Sequence, residues 1–255
     1  MTRFIACVSA KGGVGKTTTA INLGIALNQF KRDVIIVDAN TTTPSVGVSL
    51  GTPLVETGLY DALKNGAVED IIHYHDSGTK VIPSQLDLKT REAVSFAQLK
   101  RLFTSLKGMT DIALFDCSAG VSKEVSFIMK LVDELLIVTT PDPTSVTAAL
   151  KTVRMAEEMG KDIVGIVVTR KKGKLDLSKS EIEETMGYPV ISSIPEDDFI
   201  RRAQHNQNAI ISLYPRAPAS IAYRNLAAVV VEEPYHERVP KDGMLKRVVK
   251  AIQNR

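Results

Sequence analysis

The chain predicts a doubly wound α/β fold: a mainly parallel sheet of seven or eight strands with helices on both faces. Apolar strand-like runs alternate with amphipathic helical patterns along its whole length, the signature of a parallel sheet covered on two sides. A glycine-rich turn joins the first strand directly to the first helix, at residues 9–19. Two further apolar runs end in aspartate, at Asp38 and Asp116.

The strands are expected at Phe4–Ser9, Val34–Asp38, Lys80–Ile82, Ile112–Asp116, Glu134–Thr139, Ile163–Thr169 and Val190–Ile194. Each is short, rich in Val, Ile and Leu, and bounded by polar or turn-forming residues. Helical periodicity falls at Thr17–Gln29, Leu88–Leu106, Lys123–Leu131, Ser145–Met159, Ser178–Met186, Asp197–Gln204 and Ala219–Val231. Charge and proline at Glu232–Gly243 mark a break between body and tail. The expected organisation is a body of 1–231, a linker of 232–242 and a C-terminal helix of 243–255.

The run Ser9-Ala10-Lys11-Gly12-Gly13-Val14-Gly15-Lys16-Thr17-Thr18-Thr19 carries the chemistry. Gly12, Gly13 and Gly15 lack a Cβ, so the backbone can take positive φ and wrap an anion. With Val14, Lys16 and Thr17 they offer N–H groups at a helix N-terminus, a phosphate nest in which Thr18 also falls. Lys16 is placed to reach the β- and γ-phosphates and the Thr17 hydroxyl to ligate Mg²⁺. The strand–turn–helix context separates this from a chance glycine cluster and makes it a nucleoside-triphosphate site. Lys11 is the departure from the usual pattern. The loop backbone occupies the side facing its own phosphates, so Lys11 is free to point outward, toward a partner's nucleotide or into solvent.

In open α/β sheets ligands bind beyond the carboxyl ends of the strands. Asp38 and Asp116 each end an apolar strand there, and Asp116 is suited to holding Mg²⁺ through water. Gly120 follows Asp116 closely enough for its backbone to approach the γ-phosphate.

With these residues in place, the chain resembles the deviant Walker A ATPases, the group that includes MinD, ParA and nitrogenase iron protein. Within it, Asp38-Ala39-Asn40 is similar to a MinD-type branch familiar mainly from archaea, in which Asn stands where Asp-x-Asp is usual. The resemblance implies a P-loop NTPase of SIMIBI type, with ATP and Mg²⁺ as its ligands. It also implies a homodimer formed on ATP, with Lys11 crossing the interface to the other subunit's nucleotide. The candidate catalytic residues are then Lys11, Lys16, Asp38 and Asn40; the metal residues are Thr17, Asp38 and Asp116. Asn40 lacks the basicity of a carboxylate, yet phosphoryl transfer depends more on positioning and charge than on base strength. The expectation is slow turnover and a long-lived dimer.

For the base, the family presents Asn-Arg after a late strand; this chain has Thr169-Arg170. Pro195-Glu196-Asp197 resembles the family's loop beside the adenine, and is equally a strand-to-helix turn with an acidic N-cap.

The tail, residues 243–255, places Met244, Leu245, Val248, Val249, Ala251 and Ile252 on one helical arc at about 100° per residue, with Lys246, Arg247 and Lys250 opposite. A short basic amphipathic helix suits weak attachment to an anionic membrane surface, strengthened when dimerisation presents two of them. Met244, Leu245, Val248, Val249 and Ile252 are the candidate membrane residues. Packing of the helix on the protein's own core is the other reading.

A net charge of +3 in 255 residues gives no global basic field, so DNA is not the expected partner. A ParA-like DNA-segregation ATPase is the alternative function. The two cysteines, Cys7 and Cys117, lie on core strands without metal spacing, which argues against an iron–sulfur carrier. Free thiols and the lack of a leader-like or membrane-spanning run point to the cytoplasm, with peripheral membrane contact on its cytoplasmic face. An activator or cargo protein is expected but not identified by any motif.

Overall fold

The computed structural model describes residues 1–41, 43–52, 58–65, 68–85, 95–173 and 175–238. The expected apolar runs become strands within a residue or two: β1 (Arg3–Val8), β2 (Val34–Ala39), β4 (Lys80–Ile82), β5 (Ile112–Cys117), β6 (Glu134–Thr139), β7 (Asp162–Lys171) and β8 (Val190–Pro195). A two-residue strand, β3 (His73–Tyr74), is added at the edge. The sheet has eight strands in the order β3-β4-β2-β5-β1-β6-β7-β8. Only β3, antiparallel to β4, departs from parallel pairing among the described residues.

The strands read as unbroken apolar runs because both of their faces are covered. Phe4, Ala6 and Val8 enter the core on one side of the sheet, while Ile5 and Cys7 enter the core on the other. The first layer holds α3 (Leu59–Asn65), α4 (Phe96–Leu106), α5 (Lys123–Leu131), α6 (Pro143–Glu158) and α7 (Lys179–Met186). The second holds α1 (Lys16–Gln29), α2 (Val46–Ser49), α8 (Asp198–His205), α9 (Ile210–Leu213) and α10 (Pro218–Val230). Each large apolar side chain buried between layer and sheet contributes about 1.5–3 kcal/mol. α1 lies close on the sheet because Gly24 has no side chain: a Cβ there would come 2.6 Å from Ile36 Cδ1.

The helix expected at Leu88–Leu106 starts later. Ser95 is extended, with φ −84° and ψ 152°, and caps α4 by accepting the Gln98 N–H, while Gln98 returns a bond to the Ser95 N–H. This capping box sets the start at Phe96, and residues 88–94 lie outside the described region. The helices α2, α3 and α9, with four, seven and four residues, are too short for periodicity to reveal.

Of the expected linker, residues 232–238 are described, and they lie against the body. Arg224 pairs with Glu237 at 2.7 Å, and Asn225 exchanges two bonds with the Glu237 backbone, each 2.7 Å. Tyr235 meets Phe30 edge-on, with ring centroids 5.1 Å apart. The candidate membrane residues Met244, Leu245, Val248, Val249 and Ile252 lie outside the described residues.

Candidate functional site

The site lies beyond the carboxyl ends of β1, β2 and β5, where the register places Asp38 directly beside Asp116. The loop from β1 enters α1 through Gly15, whose φ of 88° and ψ of 25° place it in the left-handed region that favours glycine. Gly13, with φ 76°, shares that conformation. This lets the chain turn from strand into helix within the length of the loop, leaving the helix N-terminus open to an anion. Lys16 is nearly buried beside it, and Gly120 donates its N–H to Ser9 O at 3.0 Å, joining the loop after β5 to the loop after β1.

Four side chains converge at the mouth of α1. Thr17 Oγ1 donates to Asp116 Oδ2 at 2.6 Å and lies 2.9 Å from Ser45 Oγ. Asp38 Oδ2 accepts the N–H groups of Ser45 at 2.9 Å and Val46 at 3.0 Å, and Oδ1 that of Asn40 at 3.2 Å. Asp38 and Asp116 are both fully buried. Burial pushes Asp38 up to about 7, the charge of Asp116 adds to this, and the three N–H groups pull it back. Burial pushes Asp116 up to about 6, against the Thr17 hydrogen bond and the charge of Lys16.

A divalent cation suits this arrangement. Asp116 Oδ1 is buried without a hydrogen-bond partner among the described residues. Such an orphaned carboxylate oxygen, beside a hydroxyl and a second buried carboxylate, is the hard oxygen set that Mg²⁺ prefers.

Other expected residues are disposed less simply. Lys11 is turned to its own chain, with Nζ 2.9 Å from Ser145 Oγ and 3.3 Å from Thr144 Oγ1. The Asn40 amide closes a local turn, donating to Thr43 O at 2.8 Å and Thr43 Oγ1 at 3.0 Å. Gly15, Thr18, Thr169, Arg170, Glu196 and Asp197 line one cleft beside the loop, together with Gln204, which donates to Thr18 Oγ1 at 3.2 Å. Within that cleft the Thr169 hydroxyl faces inward, bonded to Val14 O at 2.5 Å and Thr139 O at 3.2 Å. Asp197 serves backbone, accepting from Phe199 N at 3.0 Å and Ala219 N at 3.2 Å, as its N-cap reading requires. Pro195 ends β8 in register with Lys171, just before the cleft. Sequence reasoning missed Ser45 and Gln204. Ser45 directly follows the run Thr41-Thr42-Thr43-Pro44, and Gln204 closes an expected helix, so neither carried a signal of its own.

The parallel sheet, the glycine loop opening onto α1 and the paired aspartates at the strand ends define a P-loop nucleotide-binding protein. Residues 5–210 match the family described as the CobQ/CobB/MinD/ParA nucleotide binding domain. The chain belongs to this family. It is 29% identical over 255 residues to an uncharacterized ATP-binding protein of Methanocaldococcus jannaschii, covering 98% of this chain and 97% of that protein. It is 28% identical to the septum site-determining protein MinD of Bacillus subtilis, covering 97% of each. Among solved structures it is similar to the septum site-determining protein MinD from Pyrococcus horikoshii complexed with Mg-ADP. That match has a TM-score of 0.85 and 30% identity, and it covers 90% of this chain and 96% of that one.

Proposed function

We propose that the chain is a MinD-like ATPase that binds ATP with Mg²⁺, dimerises on loading, associates peripherally with membrane and is released by slow hydrolysis. In the cell it helps to position division or polar machinery through an activator or cargo protein. The observation that carries this reading is the meeting of Thr17, Asp116 and Asp38 at the mouth of the glycine loop, with one carboxylate oxygen left for a cation. In the bound state Mg²⁺ supplies charge neutralisation for the phosphates. Thr17, Asp38 and Asp116 hold it directly or through water, and Lys16 and the loop N–H groups from Gly12 to Thr17, with Thr18, hold the phosphates. Gly120 senses the γ-phosphate, and Arg170, Glu196 and Gln204 stand around the base.

Dimerisation rests on Lys11, which sits at the rim of the loop with its side chain 47% exposed. Membrane association rests on the basic amphipathic pattern of 243–255, joined to the ATPase body of 1–231 through 232–242. No helix among the described residues is long and apolar enough to cross a membrane.

Co-sedimentation with anionic liposomes tests the proposal, comparing the full chain with a 1–242 truncation in ATP, ADP and no nucleotide. ATP-dependent pelleting that is lost on truncation is the expected result. Equal pelleting in every condition refutes the membrane switch.

A further inference from the structure

Ser45 occupies the N-cap position of α2, with φ −139° and ψ −17°, where a serine hydroxyl ordinarily accepts a helix N–H. Here it accepts none. The capping role has passed to Asp38, whose carboxylate takes the N–H groups of both Ser45 and Val46. The Ser45 hydroxyl is thereby released, and it lies 2.9 Å from Thr17 Oγ1.

The proton inventory then fixes the direction of that contact. Thr17 has one hydroxyl proton, and it goes to Asp116 Oδ2 at 2.6 Å. Ser45 therefore donates to Thr17, and its own oxygen keeps two lone pairs. Asp116 Oδ2, Thr17 Oγ1 and Ser45 Oγ thus form one hydrogen-bonded chain of oxygens drawn from β5, the start of α1 and the loop after β2.

We propose that Ser45 Oγ is a magnesium ligand in the nucleotide-loaded protein, alongside Thr17. A cation beside Thr17 repels the Ser45 proton now directed there. Rotation about the Cβ–Oγ bond alone turns that proton away and presents a lone pair, with no movement of the backbone. Because Ser45 is joined directly to α2 and held through its N–H by Asp38, the same ligand ties metal loading to the position of α2. This inference rests on the site being a magnesium–nucleotide site.

The test uses the full-length chain with the substitutions Ser45→Ala and Ser45→Cys and a fluorescent ATP analogue, read as binding affinity in EDTA, Mg²⁺ and Cd²⁺. In EDTA both variants are expected to bind like the unsubstituted chain, which shows that the pocket has folded. With Mg²⁺, both are expected to need about tenfold more metal for half-maximal tightening, the scale seen when a metal site's support is removed. The Cys variant alone is expected to recover in Cd²⁺, because a thiolate is a soft ligand and selects a soft metal. The Ala variant controls for the two native thiols, Cys7 and Cys117, which are buried. A Mg²⁺ response like that of the unsubstituted chain in both variants, or Cd²⁺ recovery no greater for Cys than for Ala, overturns the assignment. Metal-insensitive binding by the unsubstituted chain instead overturns the magnesium–nucleotide reading beneath it.

Discussion

Lys11 Nζ lies 3.5 Å from Asp142 Oδ1 of its own chain, at the N-terminus of α6. Asp142 is partly desolvated, which opposes its charge. The hydrogen bonds from Thr140, Thr144 and Ser145 outweigh that and hold it well below the usual carboxylate range, so it stays ionised at neutral pH. The lysine expected to reach across a dimer is therefore held at home by a charge that does not titrate there.

The hold is weak. The two side chains are 47% and 44% exposed, and a pair in water at that exposure contributes about 1 kcal/mol or less. Asp142→Asn keeps an N-cap acceptor for α6 and removes the charge. The ATP-bound dimer is expected to tighten by up to about fivefold for each of its two lysines, roughly 25-fold together, read by sedimentation velocity across a dilution series. An unchanged or weaker dimer means that Lys11 does not have to leave Asp142.

Asp38 and Asp116 set a pH dependence whose sign is fixed by their raised values. Between the ordinary 3.8 and the native values of about 6 and about 7, the native protein holds protons that the unfolded chain has released. Stability from these groups is fully present below about 4 and is lost as pH rises toward 7. In EDTA, Asp116→Asn is expected to melt above the unsubstituted protein at pH 8, by about 2 kcal/mol or roughly 5 °C. At pH 5 the gap is expected to close. Calorimetry that finds the same gap at both pH values assigns the effect to packing instead of charge.

Much of this site was legible because it obeys short-range rules. The loop at 9–19 states its own geometry through glycine spacing, and Asp38 and Asp116 stand out because each ends an apolar run. Their adjacency follows from parallel register, which two-faced burial enforces. Ser45 was not legible, since its role depends on how the loop after β2 folds back to meet α1. Nor was the orientation of Thr169, because a strand-end threonine reads the same whether it faces a ligand or a carbonyl. Ser95 shows the opposite failure: its capping box was written in the sequence with Gln98, and a run of helix-compatible residues before it obscured the start of α4.

The Thr169 hydroxyl is bonded to the glycine loop, which predicts a supporting role there and not a reading of the base. Its hydroxyl holds Val14 O from beneath, and its Cγ2 atom stands 3.6 Å from where a Cβ on Gly15 would lie. Thr169→Val keeps the shape and leaves a buried carbonyl short of a donor, at a cost of about 1–3 kcal/mol. Nucleotide affinity is expected to fall by roughly fivefold or more, equally for ATP and GTP. Competition against a fluorescent nucleotide measures both; a changed ATP-to-GTP ratio places Thr169 in base selection after all.

Asn40 is bound up in a turn with Thr43, both amide atoms in use: Nδ2 donates to the Thr43 carbonyl and hydroxyl, and Oδ1 accepts the Thr43 N–H at 3.2 Å. To orient water at a γ-phosphate it has to leave that turn, and an amide brings no proton acceptor of carboxylate strength once it does. Both effects are expected to slow hydrolysis. Asn40→Asp removes the donor bonds to Thr43, sets a carboxylate against its carbonyl, and restores an acceptor for the attacking water's proton. General-base assistance contributes on the order of 10²–10⁴ where it operates. Part of that is offset here because the transition state is loose and base strength matters less. Single-turnover hydrolysis by the Asn40→Asp protein is expected to rise by about tenfold over the unsubstituted chain, with ATP affinity little changed. If the two rates coincide, the step that limits turnover is set elsewhere and Asn40 does not govern it.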